Sequence, residues 1–346
     1  MYRIGWLLVI WTLLGAQAQT LTVLAHDSFV LDKQQIAQFE KDSGVKLRIL
    51  KGGDAGEMVN KAILTRAAPI ADVIYGFDNL QLSKVLAANL LEAYKPAQWE
   101  RLSPDLRLDA TYRAIPVDSG YVALNYDRAY FAGKPLPRSL RDLTLSSYVN
   151  LLVVPNPATS SPGLAFLVAT VQAFGEQAYL PFWEALRNQG LRVEKGWSEA
   201  YYTAFSRNGG DRPLVVSYST SPAAELFFAD PPVAEPPTGN LLLAQSLRQI
   251  EFVGIVRGTR QRAAARQFVD FLLSRPVQQS LPTQMWVYPA LTQTPLPQVF
   301  QWAPKVKPVP NFTPALTADN LERWITEWTQ VVLQGQPAQQ VLERRR

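Results

Sequence analysis

Strand-like and helix-like runs alternate along this 346-residue chain, and they do so twice. Leu21–Leu24 reads as a buried strand, and Lys33–Ser43 has helical spacing with Ile36 and Phe39 apolar. Val45–Leu50 is a second strand, Glu57–Arg66 a helix and Ala71–Tyr75 a third strand. This βαβαβ order predicts a parallel sheet with helices on both faces, because parallel neighbours need a crossover long enough to hold a helix. The alternation returns with Asn150–Val154 (strand), Gly163–Phe174 (helix), Leu191–Glu194 and Leu214–Tyr218 (strands) and Ala223–Phe228 (helix). At roughly 150 residues to a domain, length and pattern together predict two α/β lobes.

Between the lobes, Ala114–Tyr126 reads as extended chain crossing from one to the other, and Gln249–Val256 as a second crossing. Two crossing strands make a hinge, and a hinge between α/β lobes makes a cleft. The expected partition is residues 19–116 with about 254–284 in lobe one, and 117–253 with about 285–346 in lobe two. Asp230 to Gly239 is a surface loop by its prolines, and the Pro-rich stretch Leu291–Pro314 should drape over the surface. A helix opened by Asp319 follows, with Leu321, Trp324, Trp328 and Val331 on one face, closed near Gly335.

The N-terminus has the pattern of a secretory signal: Arg3, an apolar run Ile4–Leu14 too short to span a bilayer, and the small-x-small site Ala16-Gln17-Ala18. Residues 1–18 are therefore expected to be removed. The absence of cysteine rules out disulfides, thiolate metal sites, a cysteine nucleophile and a lipid-modified cysteine after the signal. Export without such an anchor suits a bacterial periplasm. The net charge of +5 is mild, and the Arg344–Arg346 tail has no accompanying basic face with aromatics, so nucleic acid is not an expected partner.

Catalytic constellations are scarce. His26 is the only histidine, so a two-histidine metal motif is impossible and a serine–histidine pair would have to use that residue. Gly52–Glu57 is glycine-rich but lacks the Gly-Lys-Ser/Thr ending of a phosphate-binding P-loop. Asp27, Asp54 and Asp78 can be grouped as paired carboxylates, but any chain of this length offers such sets. The helix starts are more informative. Ser160-Ser161-Pro162 and Ser219-Thr220-Ser221-Pro222 each place a hydroxyl N-cap before a proline suited to the first helical position. Asp27-Ser28 and Gly53-Asp54 also join a strand to a helix. In an open α/β sheet such loops line the crevice at the carboxyl ends of the strands, where free amides and hydroxyls receive a polar ligand. A lone serine of this kind more often just caps its own helix. Four such loops in two lobes, with Trp197 and Tyr218 beside them, favour a ligand cleft. Trp286 and Tyr288 read equally well as packing. Tyr201 and Tyr202 diverge by about 100° if helical, so a shared metal is not the default reading.

Lys195-Gly196-Trp197-Ser198-Glu199-Ala200-Tyr201 and Ser217-Tyr218-Ser219-Thr220-Ser221-Pro222 carry a resemblance over nearly the whole mature chain. With Thr159–Leu164, Gly76–Asn79 and Trp286-Val287-Tyr288-Pro289, the chain resembles the thiamine-binding periplasmic proteins of ABC importers. The resemblance implies a two-lobed α/β type II periplasmic-binding-protein-like fold joined by a two-strand hinge. It also implies no cofactor and no catalysis. The partners would be thiamine or its mono- or pyrophosphate, a membrane permease and a separate ATPase, and the protein would be a periplasmic monomer. By matching motif, ligand contacts fall on Asp54, Ala55, Ser160, Ser161, Trp197 and Tyr218 to Ser221. His26, Asp27, Trp286 and Tyr288 complete the candidate set. Open alternatives at this stage are a binder of iron, phosphonate or polyamine, an enzyme built on His26, and a structural envelope protein.

Overall fold

The computed structural model describes residues 19–243, 248–304 and 316–345. The expected signal at 1–18 and part of the Pro-rich stretch lie outside them. In chain order the strands are β1 (Thr20–Ala25), β2 (Lys46–Lys51), β3 (Val73–Asp78), β4 (Leu91–Glu92), β5 (Ile115–Asp127), β6 (Leu152–Pro155), β7 (Arg192–Glu194), β8 (Leu214–Tyr218), β9 (Thr238–Leu241), β10 (Arg248–Val256) and β11 (Tyr288–Pro289). The helices are α1 (Lys33–Ser43), α2 (Ala55–Leu64), α3 (Leu82–Ala87), α4 (Ser161–Phe174), α5 (Tyr179–Asn188), α6 (Trp197–Glu199), α7 (Ser221–Phe227), α8 (Arg262–Leu272), α9 (Arg275–Gln284), α10 (Ala318–Trp328) and α11 (Ala338–Glu343). No helix among the described residues is long and apolar enough to cross a membrane.

The strands form one curled sheet in the order β2-β1-β3-β10-β5-β8-β6-β7. The expected parallel groups are present at its two ends: β2-β1-β3, and β8-β6-β7. The strands that join them, β10 and β5, run antiparallel to their neighbours. Strand β5 belongs to both lobes, since Ile115–Tyr121 pair with β10 while Val122–Asp127 pair with β8 and β9.

Each lobe has its own core. Strands β1, β3 and β10 pack with helices α1, α8 and α9 through Leu21, Val23, Phe39, Phe252, Phe268 and Leu281. The local signals for α1 are plain: Asp32 caps it by accepting from the Gln34 amide at 2.7 Å, and Gly44 at φ +69° ends it. In the second lobe the sheet is buried on both faces, because successive side chains on a strand point to opposite sides. Leu152, Val154, Leu214 and Val216 face α4, α5, α10 and α11, whereas Val153 and Val215 face Tyr201 and Phe205.

Several expectations shift. β10 already contributes Ile250, Phe252 and Val253 to the first core. Val287 and Ala290 also pack with the first core. The loop after Asp230 ends at Pro237, because Thr238 and Gly239 already pair with Asp127 and Tyr126. Leu291, Phe300 and Ala303 are buried, so this part of the Pro-rich stretch packs and does not simply drape. The cap of α10 is Thr317, whose hydroxyl accepts from the Asn320 amide at 3.2 Å; Asp319 sits in the first turn.

Candidate functional site

The two lobes touch along the start of α2. Asp54 caps that helix, with Oδ1 accepting from the Ala55 amide at 2.7 Å, while Oδ2 accepts from the Trp197 amide of the other lobe at 2.9 Å. One residue on, the Gly56 amide donates to the Thr159 carbonyl at 2.9 Å, and Lys195 pairs with Glu57 at 3.0 Å. Asp27 braces this loop by accepting from the Gly53 amide at 3.0 Å, while Ala55 is buried at the seam.

Trp197 is held on its side of the seam by several contacts. Its ring stacks on Tyr201 at 5.2 Å and 22°, lies 5.8 Å from Tyr218, and its Nε1 donates to Ser217 Oγ at 2.7 Å. Tyr201 turns inward to Glu225 at 3.0 Å, whereas Tyr202 is 58% exposed; the two hydroxyls diverge.

The serines at the helix starts do not cap. Proline occupies the second helical position of α4 and α7, and neither N-cap residue, Ser160 or Thr220, makes a side-chain cap bond. Instead the Ser161 hydroxyl donates across the seam to Asp78, and Ser221 pairs with Ser217 at 3.0 Å. Ser160 Oγ and Ser219 Oγ are buried without a hydrogen-bond partner among the described residues. A reading in which each serine only serves its own helix therefore fails here.

Beneath these groups lies a layer of buried acids. On the paired strands β5 and β10, Asp118 and Glu251 are direct neighbours. The Tyr75 hydroxyl donates to Asp118 at 2.7 Å and lies 3.4 Å from Glu251. His26 Nε2 is also 3.4 Å from Glu251, and Gln249 donates to Glu251 at 3.2 Å and receives the Tyr218 hydroxyl at 3.4 Å. Burial works against protonation of His26, but Glu251, by its charge and as a hydrogen-bond acceptor, outweighs it and raises the imidazole pKa. Burial first, and the charge of Glu251 second, push Asp118 well above the ordinary carboxylate range.

Asp78 closes this layer. Burial pushes it up to about 6, against hydrogen bonds from Ser161 and from the Leu80 and Gln81 amides that favour its charged form. An acid whose folded pKa exceeds its unfolded value holds its proton more tightly in the native state. The stability linked to Asp78 is therefore fullest below the unfolded value of 3.8 and is lost as pH rises through 6. Asp78→Asn keeps an acceptor for the two amides and offers Ser161 a donor. In ligand-free protein it should gain about 1–3 kcal/mol in urea unfolding at pH 7.5, and nothing near pH 3.5. An equal gain at both pH values would mean that charge burial is not the cause.

A seam of aromatic rings, unpaired hydroxyls and buried acids between two lobes can hold a small polar molecule. Residues 68–311 match the family model of the bacterial extracellular solute-binding proteins. The chain belongs to that family. It is 30% identical to the thiamine-binding periplasmic protein of Escherichia coli K12 over 90% of this chain and 93% of that one. It is 29% identical to the protein of the same description from Brucella suis biovar 1, over 91% and 92%. Among solved structures, a periplasmic thiamin binding protein superposes with a TM-score of 0.79 at 28% identity, covering 91% of this chain and 96% of that chain. The fructose-6-phosphate-bound binding protein AfuA of Actinobacillus pleuropneumoniae shares the fold, with a TM-score of 0.78 at 18% identity over 92% and 99%.

In this solute-binding protein Asp27, Asp54, Ala55, Ser161 and Trp197 lie at the seam and Tyr218 reaches Gln249, while Ser160, Ser219, Thr220 and Ser221 are buried around the starts of α4 and α7, and His26 lies against Glu251. Trp286, at φ +58°, meets Phe227 at the end of α7 and the following Phe228 at 5.3 and 5.6 Å, and Phe300 at 6.1 Å. Tyr288 pairs with Ser119 in β11 and packs edge-on to Tyr121 at 6.0 Å, and burial pushes its hydroxyl up to about 12. Sequence reasoning missed Tyr75, Asp118, Gln249 and Glu251, and it left Asp78 as one acid among several. The available signal was an acid inside an apolar strand: Asp118 in Ile115–Tyr126 and Glu251 in Ile250–Val256.

Proposed function

We propose that this chain is the substrate-binding component of a thiamine importer. It captures the vitamin between its lobes in the periplasm, after loss of residues 1–18, and delivers it to an ABC permease driven by a separate ATPase. The observation that carries this reading is the Trp197 corner. The Gly-Trp-Ser-Glu-Ala-Tyr motif puts an indole, flanked by Tyr201 and Tyr218, at the amide contact with Asp54 of the opposite lobe. Flat π faces beside buried acids suit a flat organic cation. We further propose that phosphate esters of thiamine are accepted at the start of α4, with Ser160 as the hydroxyl for a phosphate oxygen. Ser161 is less suited, because its hydroxyl is committed to Asp78.

Calorimetric titration of ligand-free protein with thiamine, its monophosphate, its pyrophosphate and 2-aminoethylphosphonate tests the assignment. Saturable binding of at least one thiamine form is expected, with the ligand recovered unchanged by mass spectrometry. Binding of the phosphonate alone, or recovery of a cleaved product in proportion to protein, sinks it. Trp197→Ala should weaken thiamine by about 1–3 kcal/mol through lost stacking and desolvation while leaving the unfolding midpoint nearly unchanged. Unaltered affinity in a folded variant would move the site away from this corner.

A further inference from the structure

The acids at the strand crossing lack a basic partner other than His26. Among the described residues no lysine or arginine pairs with Asp78, Asp118 or Glu251, and His26 meets only Glu251. Two carboxyl groups on adjacent strands in a buried layer cannot both carry charge cheaply; they share a proton or hold a cation. One further atom is left unpaired: Asp118 Oδ1 is buried with no hydrogen-bond partner among the described residues, while His26 Nε2, on a side chain 9% exposed, has Glu251 at 3.4 Å.

We propose that Asp118 and Glu251 are the specificity-determining counter-charge of the cleft: they select an organic cation, and the empty site holds a proton on Asp118 that leaves to solvent when the cation enters. The inference rests on the thiamine reading and assigns the part of the site that reads the ligand's charge. Its balance is simple. With His26 charged against an ionised Glu251 and Asp118 protonated, these three groups together are neutral; a monocation that displaces the Asp118 proton leaves them neutral again. The groups around the pair are Tyr75 and Asp78 on β3, His26 just after β1 and Tyr218 on β8, with Asp54 and Lys51 acting on His26 with opposite sign. Tyr75 and Tyr218 stay neutral, both with pKa values well above the ordinary phenol range for the same reason of burial. The pair lies on the adjacent strands β5 and β10, and the second lobe reaches its surroundings through Tyr218, bonded to Gln249, and Ser161, bonded to Asp78.

The test is calorimetry on the full mature chain at pH 7 in two buffers of very different ionisation enthalpy, phosphate and Tris. Thiamine should release about one proton per molecule bound. Thiochrome, a neutral fused-ring relative of thiamine, should bind more weakly and release none. Asp118→Asn retains an acceptor for the Tyr75 hydroxyl; it should abolish proton release and weaken thiamine about 100-fold while changing thiochrome less than about threefold. The proton count on the unaltered protein stands even if that variant folds poorly. Tight thiamine binding with no proton release overturns this inference and leaves the thiamine reading intact. Equal affinity for thiamine and thiochrome does the same, and no binding of any thiamine form overturns both.

Discussion

Gly56→Ala should make the empty protein slightly more stable and its ligand affinity about 10- to 100-fold worse. Gly56 sits in the first turn of α2, where alanine is the better helix former by up to about 1 kcal/mol. A Cβ at this position, however, would lie 2.8 Å from both the carbonyl carbon and the oxygen of Thr159, and 3.0 Å from the Ala158 oxygen, across the seam. Those are backbone atoms at the turn before α4, and no rotamer change moves them aside. Overfilling a packed contact costs about 1–3 kcal/mol, and here that cost falls only on the form in which the lobes meet. Titration calorimetry and the melting temperature of ligand-free protein should move in opposite senses. A variant with unchanged affinity would show that the Gly56–Thr159 contact is not made when ligand is bound.

The largest effect on stability is expected at Trp183. This side chain is almost fully buried between α4, α5 and α10, edge-on to Trp328 at 5.6 Å and to Phe166 at 5.6 Å. Its Nε1 donates to Thr170 Oγ1 at 2.8 Å, and Thr170 is itself fully buried. Trp183→Ala removes the ring from three aromatic pairs, the third with Phe182 at 6.0 Å, and takes the donor from a buried hydroxyl, so urea unfolding should show a loss of about 3–5 kcal/mol. Trp183→Phe keeps most of the volume and should lose clearly less. Equal losses in the two variants would assign the effect to the hydrogen bond and not to packing.

Local chemistry made much of this fold legible. β8 is found residue for residue as expected, because Leu214–Tyr218 is an apolar β-branched run bounded by Pro213 and a serine-threonine turn. α1 is found likewise through Asp32 and Gly44. Helix α9 is absent from the expected elements; Pro276 lies in its first turn, where a proline is tolerated, and Gln278 links the helix to Val117 and Leu291 through its side-chain amide. The site divides the same way. The seam residues came from short motifs whose spacing fits the turn between a strand and a helix. Asp118 and Glu251 owe their meaning to strands that pair only in the folded protein, and neither strand alone shows that its acid faces another.

The arrangement of the cores carries a consequence for biogenesis. The first core is complete once Ala290 is in place, but the second needs Trp324, Trp328, Val341 and Leu342 from the last turns of the chain. Its strands β6 to β8 are synthesised long before the tryptophans that cover them. A polypeptide emerging N-terminus first thus has one lobe able to consolidate while the other waits, open-cored, for the final helices. A chain in which α10 and α11 have not yet docked therefore has one consolidated lobe and one open-cored lobe, and it gains its ligand-competent shape only when they do.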